Sequence, residues 1–274
     1  MIQPKTLKGF RDFMPETAIK RQRVADIMRR VFELYGFDPL ETPAIEYADV
    51  LTGKYGDEAD KLLYRFNDHG KRRVGLRYDL TVPLSRVIAA HFDLPMPFKR
   101  YQMQNVWRAE NTQKGRYREF IQCDIDTVGS ASATSDTEII SCALAVMREL
   151  KIPSPVMHIN DRTIFDTLGF TQSEIIILDK REKIGKDAVI EELSSAGRID
   201  AEEVFTKLSE STKTDRLERI FRALRDLGYT ENTDFRFDPF LARGLEYYTS
   251  TIYELKSSAY PQGSLAGGGR YDKL

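Results

Sequence analysis

Histidine and cysteine are scarce in this chain, whose 274 residues include three histidines and two cysteines. The histidines are far apart in the sequence, so a histidine-based metal cluster or a Ser-His-Asp triad has little to build from. The cysteines, Cys123 and Cys142, are too few for a disulfide framework and do not form a Cys-x-x-Cys pair. These scarcities disfavour a metalloenzyme and favour a reducing compartment.

Long apolar runs and an excess of either charge are also missing. Lysine and arginine number 41 against 42 acidic residues, for a formal net charge of −1. That balance disfavours a protein that coats nucleic acid, although a local basic patch would still allow RNA binding. No stretch is long enough to span a bilayer, and the first residues lack the apolar core of a signal peptide. We therefore expect a cytoplasmic protein without a membrane partner.

Both helical and strand patterns occur, which predicts an α+β fold. Apolar residues at three- and four-residue spacings predict a helix that begins at Pro15 and is stopped by Gly36. Two long strands, residues 98–108 and 117–128, are expected to flank a polar loop. The other predicted elements are a hairpin of residues 62–66 and 72–78, a helix capped by Thr81, a helix opened by a capping box at 135–138, and an amphipathic helix over 214–227.

The residue pattern changes between residues 167 and 234, where segments with helical spacing and many charged residues dominate. We interpret 167–234 as a small helical insertion, with residues 1–166 and 235–274 forming the core. Lysines and arginines near residue 180 would suit contact with RNA phosphates. A solvated helical face explains them equally well, and we favour that simpler account.

The second long strand places polar side chains on one face. Its apolar residues share the opposite face, leaving Phe120, Gln122, Asp124 and Asp126 together. A half-exposed antiparallel strand gives such alternation by default. An aromatic ring beside hydrogen-bond acceptors also suits a stacked heterocycle. Taken alone, this strand leaves both interpretations open.

Two arginine-bearing segments favour a charged ligand. Arg108 and Arg116 lie at the ends of the polar loop, and the planar fork of arginine matches phosphate oxygens. A solvated loop would explain these arginines alone. A later segment, residues 243–249, combines Arg243 with the pair Tyr247 and Tyr248, and we expect it to be a strand. Ordinary strand aromatics would explain the tyrosines alone. Strands seldom bury such polar groups without a ligand, so the set suggests a substrate that carries phosphate and amino groups.

These segments, in this order, resemble class II aminoacyl-tRNA synthetases, and most closely the histidyl-tRNA synthetases. The resemblance covers nearly the whole chain and implies the class II fold, an antiparallel sheet flanked by helices with a small helical insertion. It rests on residues 6–12 (the family's opening), 36–43 (motif 1), 76–81 (amino-acid pocket), 106–126 (motif 2), and 243–249 and 266–272 (two histidine signatures). Motif 1 builds the family's dimer interface, so a homodimer is implied.

The resemblance implies that the protein activates L-histidine with ATP, bound with Mg²⁺, and transfers the product, histidyl-adenylate, to tRNA(His). Arg108 and Arg243 would be the catalytic residues, offsetting charge at the α-phosphate from two sides. Glu110 would bind the adenine amino group, Arg116 the outer phosphates, and Phe120 would stack on adenine. Catalysis would then consist of positioning and electrostatics.

A pocket for histidine is also implied. Asp79, Thr81 and Gln122 would accept hydrogen bonds from the α-ammonium. Asp126 and Tyr248 would each meet one ring nitrogen of the imidazole, and Tyr247 would line the same pocket. Asp79 stands where the family often has glutamate, but its shorter carboxylate still accepts from an ammonium. A site that satisfies both ring nitrogens rejects apolar isosteres, because its own polar groups would be left unpaired.

Two expectations concern what the chain lacks relative to the family. Motif 3, with an arginine for the γ-phosphate, and the anticodon-binding domain would follow Leu274. We therefore expect a chain truncated before motif 3, with impaired ATP binding and aminoacylation. The alternative is a non-catalytic, histidine-sensing paralogue that regulates ATP phosphoribosyltransferase. Such proteins tend to lose the catalytic arginines and the tyrosine signature, so retention of Arg108, Arg116 and Arg243 favours the synthetase.

Overall fold

Residues 2–52, 62–112, 115–244 and 247–273 are described by a computed structural model. Contacts divide the chain into a first unit, Met1–Ser130, and a second unit, Ala131–Leu274. The described elements of the first unit are α1 (Pro15–Leu34), β1 (Asp38–Pro39), β2 (Ile45–Tyr47), α2 (Ala48–Thr52), β3 (Arg65–Asn67), β4 (Arg73–Leu76), α3 (Thr81–Ala90), β5 (Phe98–Trp107) and β6 (Glu119–Val128).

Helix α1 follows the predicted boundaries. Pro15 occupies its first position, where the missing N–H of proline is tolerated. Gly36 has a φ of +73°, a left-handed conformation that favours glycine, and stops the helix. The buried side chain of Phe32 packs against Tyr101 of β5, with ring centroids 5.7 Å apart. The helix therefore covers the sheet that carries the long hairpin.

The described part of the first unit contains two three-stranded sheets. In one, β1 runs parallel to β5, and β5 is antiparallel to β6 along all ten residues of each strand. In the other, β4 lies between β2 and β3, both antiparallel to it. The side chain of Asp68 accepts from the N–H of Arg72 (2.9 Å) in the β3–β4 turn. Both predicted hairpins are confirmed.

Two predicted helix caps are wrong. Thr81 is the first residue of α3 and not its cap; the side chain of Asp79 accepts from the N–H of Val82 (3.1 Å) instead. The helix predicted to open at a 135–138 capping box begins at Ala133, and Ser132 caps it by accepting from the N–H of Thr134 (3.1 Å). In each case a neighbouring acceptor reaches the first free N–H groups more directly.

The second unit is built on a four-stranded sheet of order β10-β9-β7-β8, with β9 antiparallel to β7 and β10, and β8 parallel to β7. Its described elements are α4 (Ala133–Glu149), β7 (Pro155–Asp161), α5 (Arg162–Thr167), α6 (Gln172–Asp179), α7 (Arg181–Ile184), α8 (Lys186–Ser195), α9 (Ala201–Ser209), α10 (Asp215–Asp226), β8 (Phe235–Phe237), β9 (Thr251–Ser257) and β10 (Ala266–Gly269). Helices α6 to α10 occupy the range proposed as an insertion, and the boundaries of that insertion remain a prediction.

Helix α10 is amphipathic, as predicted. Its buried residues are Leu217, Ile220, Phe221 and Leu224, and the helix packs against α4. Leu227, the last residue of the predicted helix, is the C-terminal cap residue and is exposed. Thr214 caps the N-terminus by accepting from the N–H of Leu217 (3.3 Å), and its hydroxyl donates to Asp161 at the end of β7 (2.8 Å).

We expect Thr214→Ala to lower the free energy of unfolding by about 1 kcal/mol, because the helix loses its cap and Asp161 loses a donor. Urea unfolding followed by circular dichroism measures the change. Thr212→Ala is the matched control, since Thr212 is exposed in the preceding loop. Equal stabilities of the two variants would contradict the role given to the cap.

Candidate active site

Arg108 is held at the end of β5 by contacts on three sides. Its Nε donates to the carbonyl oxygen of Tyr78 (3.0 Å), and its Nη2 donates to Oε1 of Gln122 (3.2 Å). The guanidinium carbon lies 5.2 Å from the ring centroid of Phe120. Phe120 and Gln122 meet the same arginine because alternate residues of a strand share a face. Nη1 has no acceptor in the part of the chain that the structure describes, so that edge is available to a ligand.

Acidic side chains continue along the same face of β6. The amide nitrogen of Gln122 donates to Oδ2 of Asp124 (2.8 Å). Asp126, two residues further, forms an ion pair with Arg100 of β5, with Nη2 and Oδ2 2.7 Å apart. Arg100 is fully buried, and it also donates to Gln102 (3.1 Å) and to the Leu80 carbonyl oxygen (3.2 Å).

Arg100 is the main residue of this region that the sequence interpretation missed. It lies directly opposite Asp126 in the β5–β6 register. Pairing the two predicted strands end to end, with Phe98 opposite Val128, would have found it. Asp126 was expected to meet the imidazole of histidine, and the structure adds a fixed cation that keeps its carboxylate in place.

Two of the carboxyls in this region hold their protons unusually well. Burial raises the pKa of Asp79 from 3.8 to about 6, an effect that the Val82 N–H and the cations of Arg108 and Arg100 oppose. Burial, and next the negative charge of Asp126, raise the pKa of Asp124 to about 7. A bound ammonium group would favour the ionised forms, so the region is suited to a cationic ligand.

The loop after β5 is more open. Arg116 and Glu110 are both accessible to solvent, with Nη1 and Oε2 3.7 Å apart, and such exposed pairs contribute little to stability. Arg118 donates to the Glu110 carbonyl oxygen (3.0 Å), which fixes the backbone there. Thr81, the remaining predicted residue of the first unit, begins α3 and is half-buried.

Arg243 lies in the second unit, in the segment before β9. Its Nη1 donates to Oε1 of Glu254 on β9 (2.8 Å), and its guanidinium carbon is 5.9 Å from the centroid of the Tyr248 ring. The guanidinium lies over Gly267 of β10, where a Cβ atom would overlap Nη1. Gly267 pairs with Glu254 across the sheet. A glycine at that position therefore allows the arginine to reach its acceptor.

Tyr247 and Tyr248 do not lie in a strand, so our prediction for this segment is wrong. Residues 247–249 form a turn and a loop, and β9 begins at Thr251; Leu245 and Glu246 lie outside the described residues. The two rings are 4.7 Å apart, and Tyr247 also meets Tyr271 edge-on at 6.0 Å. Tyr248 is buried in the apolar cluster of the unit. The tyrosine pair is held by packing rather than by strand pairing.

The end of the glycine-rich signature is fixed by ion pairs. Asp136 of α4 is buried and contacts both Arg270 (3.4 Å) and Arg216 (2.7 Å). Burial raises the pKa of Asp136, against the effect of the two arginines. Arg270 also pairs with Asp272 (2.8 Å), whose other oxygen accepts from Thr249 (2.7 Å). These contacts tie the chain after β10 to the loop that carries the tyrosines.

Basic residues near position 180 have partners within the unit. Lys180 pairs with Glu192 (2.6 Å), and Arg181 lies over the ring of Phe240 at 4.1 Å. These contacts agree with the solvated helical face that we favoured, and contact with RNA remains a prediction.

Clustered metal ligands and membrane-spanning helices are both missing from the described ranges. There, no group of three or more His, Cys, Asp or Glu side chains is arranged to hold a metal ion. None of the helices in those ranges is long and apolar enough to cross a membrane. Cys123 is half-buried and Cys142 is buried, and both carry reduced thiols.

Comparison with known proteins agrees with the predicted resemblance. The sequence profile of the family described as histidyl-tRNA synthetase matches residues 9–175 and 186–274. The histidine–tRNA ligase of Rhodopirellula baltica is 39% identical over 307 residues, covering 100% of this chain and 69% of that protein. The crystal structure of histidyl-tRNA synthetase from Nostoc sp. PCC 7120 matches with a TM-score of 0.87 at 31% identity, covering 100% of this chain and 70% of that one.

A second solved structure shares the fold. It comes from Bacillus halodurans and is described as an ATP phosphoribosyltransferase regulatory subunit/histidyl-tRNA synthetase. The TM-score is 0.80 at 22% identity, covering 99% of this chain and 77% of that one. At this identity the likeness concerns the fold alone. The resemblance and the α+β fold class predicted from the sequence are confirmed by these matches.

The raised pKa of Asp79 predicts how stability depends on pH. The folded chain keeps this proton up to about pH 6, whereas the unfolded chain releases it near 3.8. The stabilisation is therefore complete below pH 3.8 and is lost as the pH rises to about 6, by at most about 1.4 kcal/mol for each pH unit. Asp79→Asn, which is neutral throughout, should show a shallower loss in urea unfolding between pH 4 and 7. Parallel curves for the two proteins would refute the assignment.

Proposed function

We propose, from the premise that this chain belongs to the histidyl-tRNA synthetase family, that it activates L-histidine with ATP and transfers the histidyl group to tRNA(His). The observation that carries this proposal is Arg108, fixed by Tyr78 and Gln122 with one edge open, next to a row of acidic side chains on β6. A fixed cation suits a phosphate, and acceptors close by suit an ammonium. Histidine and ATP together present both groups.

Activation joins two negatively charged groups, since the carboxylate of histidine attacks the α-phosphorus of ATP and pyrophosphate leaves. We assign Arg108 to the α-phosphate and the attacking carboxylate, and Arg243 to the same phosphate as a second cation. Cations fixed before the substrates arrive need no reorganisation when charge develops on the phosphoryl oxygens. Mg²⁺ is proposed to enter with the phosphates of ATP.

The remaining ATP contacts come from the loop and strand beside Arg108. Phe120 is assigned to stacking on adenine, Glu110 to accepting from its amino group, and Arg116 to the outer phosphates. The exposure of Arg116 and Glu110 supports these roles, because a nucleotide can reach both side chains. Their long ion pair is weak enough to exchange for contacts with the ligand.

The histidine pocket is assigned from the acidic face of β6 and from the tyrosine pair. Asp79, Thr81 and Gln122 are assigned to the α-ammonium. Burial raises the pKa of Asp79 to about 6, and a bound cation would lower that pKa and favour the carboxylate. Asp126 accepts from one imidazole nitrogen, held in place by Arg100. Tyr248 meets the other ring nitrogen, with Tyr247 beside it. Polar partners for both nitrogens would exclude apolar amino acids of similar size.

A histidine-sensing regulatory subunit is the second candidate, favoured by the likeness to the Bacillus halodurans structure. At 22% identity that likeness concerns the fold alone. A regulatory subunit that only senses histidine would also not need the three arginines of this chain that are suited to binding phosphate. A sensor would bind histidine without catalysing histidine-dependent exchange of pyrophosphate into ATP. The same measurement therefore separates the two functions.

We propose further that the chain forms a homodimer through residues 36–43, which include β1. Sedimentation equilibrium should give twice the chain mass of 31.5 kDa at micromolar concentration. A single-chain mass at every concentration would exclude the dimer.

We expect Arg108→Ala and Arg243→Ala each to reduce histidine-dependent pyrophosphate exchange by about 100-fold or more, because each removes a cation that stabilises charge in the transition state. Arg222→Ala is the matched control: Arg222 is exposed on α10, and its loss should leave exchange unchanged. Full exchange by Arg243→Ala would show that the assigned mechanism is wrong. Histidine binding by the unsubstituted chain without even the weakened exchange that we expect of it would favour the sensor.

A further inference from the structure

Asp124 belongs to the acidic row on β6, but the function proposed above assigns it no contact with a substrate, although its position is unfavourable for a carboxylate. It lies between Gln122 and Asp126 on one face of β6, and burial together with the charge of Asp126 raises its pKa to about 7. Asp79 adds to this repulsion, and Arg100 opposes it. A carboxyl that is costly to ionise and is close to two others calls for an explanation.

The contacts of Gln122 supply one. Its Oε1 accepts from Nη2 of Arg108 (3.2 Å), and its Nε2 donates to Oδ2 of Asp124 (2.8 Å). Arginine can only donate hydrogen bonds, and a carboxyl group has an oxygen that accepts them whether or not it is ionised. A side-chain amide between these two groups therefore has one orientation that satisfies both, with its oxygen toward Arg108 and its nitrogen toward Asp124.

We propose that Asp124 is a positioning residue that acts through Gln122, orienting the amide so that its oxygen faces Arg108 and the α-ammonium of histidine. This inference rests on the proposed function, because it takes Gln122 to be a ligand of the ammonium. Without Asp124 the NH₂ group loses its acceptor, and Arg108 alone restrains the amide. In the rotated orientation that this allows, the NH₂ group would face two cations. Histidine binding would lose an acceptor and gain a repulsive contact.

Two other roles for Asp124 make different predictions. If Asp124 supplied negative charge to the ammonium, any neutral substitution of Asp124 would weaken histidine binding. As a structural residue, it would affect histidine binding only as far as it affects folding. As a positioning residue, it needs an acceptor oxygen and not a charge. Asparagine keeps that oxygen at a similar distance, whereas leucine fills similar space and removes it.

The experiment measures histidine binding to this chain by calorimetry, with thermal unfolding as the check on folding. We expect Asp124→Leu to weaken histidine binding about tenfold or more and Asp124→Asn to stay within about threefold of the unsubstituted chain. Gln122→Ala should weaken binding by a factor similar to that of Asp124→Leu. Adding Asp124→Leu to Gln122→Ala should change binding less than about twofold, because residues that act through one another are not additive.

Each remaining outcome has a defined meaning. Binding by Asp124→Asn as weak as that by Asp124→Leu would assign the effect to charge and overturn the inference. Multiplied losses in the double variant would show that Asp124 acts independently of Gln122, with the same consequence. If Asp124→Leu binds histidine normally, the role given to Asp124 is wrong but the proposed function stands. If the unsubstituted chain does not bind histidine, both the proposed function and the role of Asp124 are wrong. Asp124→Ala replaces the leucine variant in every comparison if the latter unfolds.

Discussion

The ion pair between Arg100 and Asp126 is the interaction on which the first unit depends most. The two residues face each other across β5 and β6, and the arginine is fully buried. A shift of one residue in the pairing would move every side chain of a strand to the opposite face. It would also leave a guanidinium buried without its carboxylate, which costs several kcal/mol. The pair therefore fixes the register that places Phe120, Gln122 and Asp124 on the face that meets Arg108.

Once this register is fixed, it determines the balance of charge in the region. Asp79, Asp124 and Asp126 supply three carboxyls, and Arg100 and Arg108 supply two cations. Arg100 is paired with Asp126 in the interior. The negative charges of Asp79 and Asp124 are therefore less well balanced by the nearby cations. Both carboxyls have a raised pKa. One additional cation would balance the charge of the three carboxyls, and the α-ammonium of the proposed amino-acid ligand carries such a charge.

Features that depend on local pattern were mostly predictable from the sequence. The long hairpin, α1 and α10 came from apolar spacing, and the candidate site residues came from the order of several motifs. The wrong helix caps have a shared cause, because Ser132 and Ser135, like Asp79 and Thr81, are close alternatives that local spacing does not separate. The segment 243–249 alternates like a strand, yet packing of Tyr248 in an apolar cluster prevails. Arg100 was missed because its importance comes from cross-strand pairing, which no single motif displays.

The two arginines assigned to catalysis are held by different means, and the difference accounts for the residues around each. Arg108 is fixed by acceptors from its own hairpin and from Tyr78, so its surroundings are rich in polar side chains. Arg243 is fixed by the carboxylate of Glu254 and by the space above Gly267. Any side chain at position 267 would displace the guanidinium, so the glycine-rich strand contributes by leaving this space open. In both places contacts within the chain hold the cation, as the proposed electrostatic stabilisation of phosphoryl transfer requires.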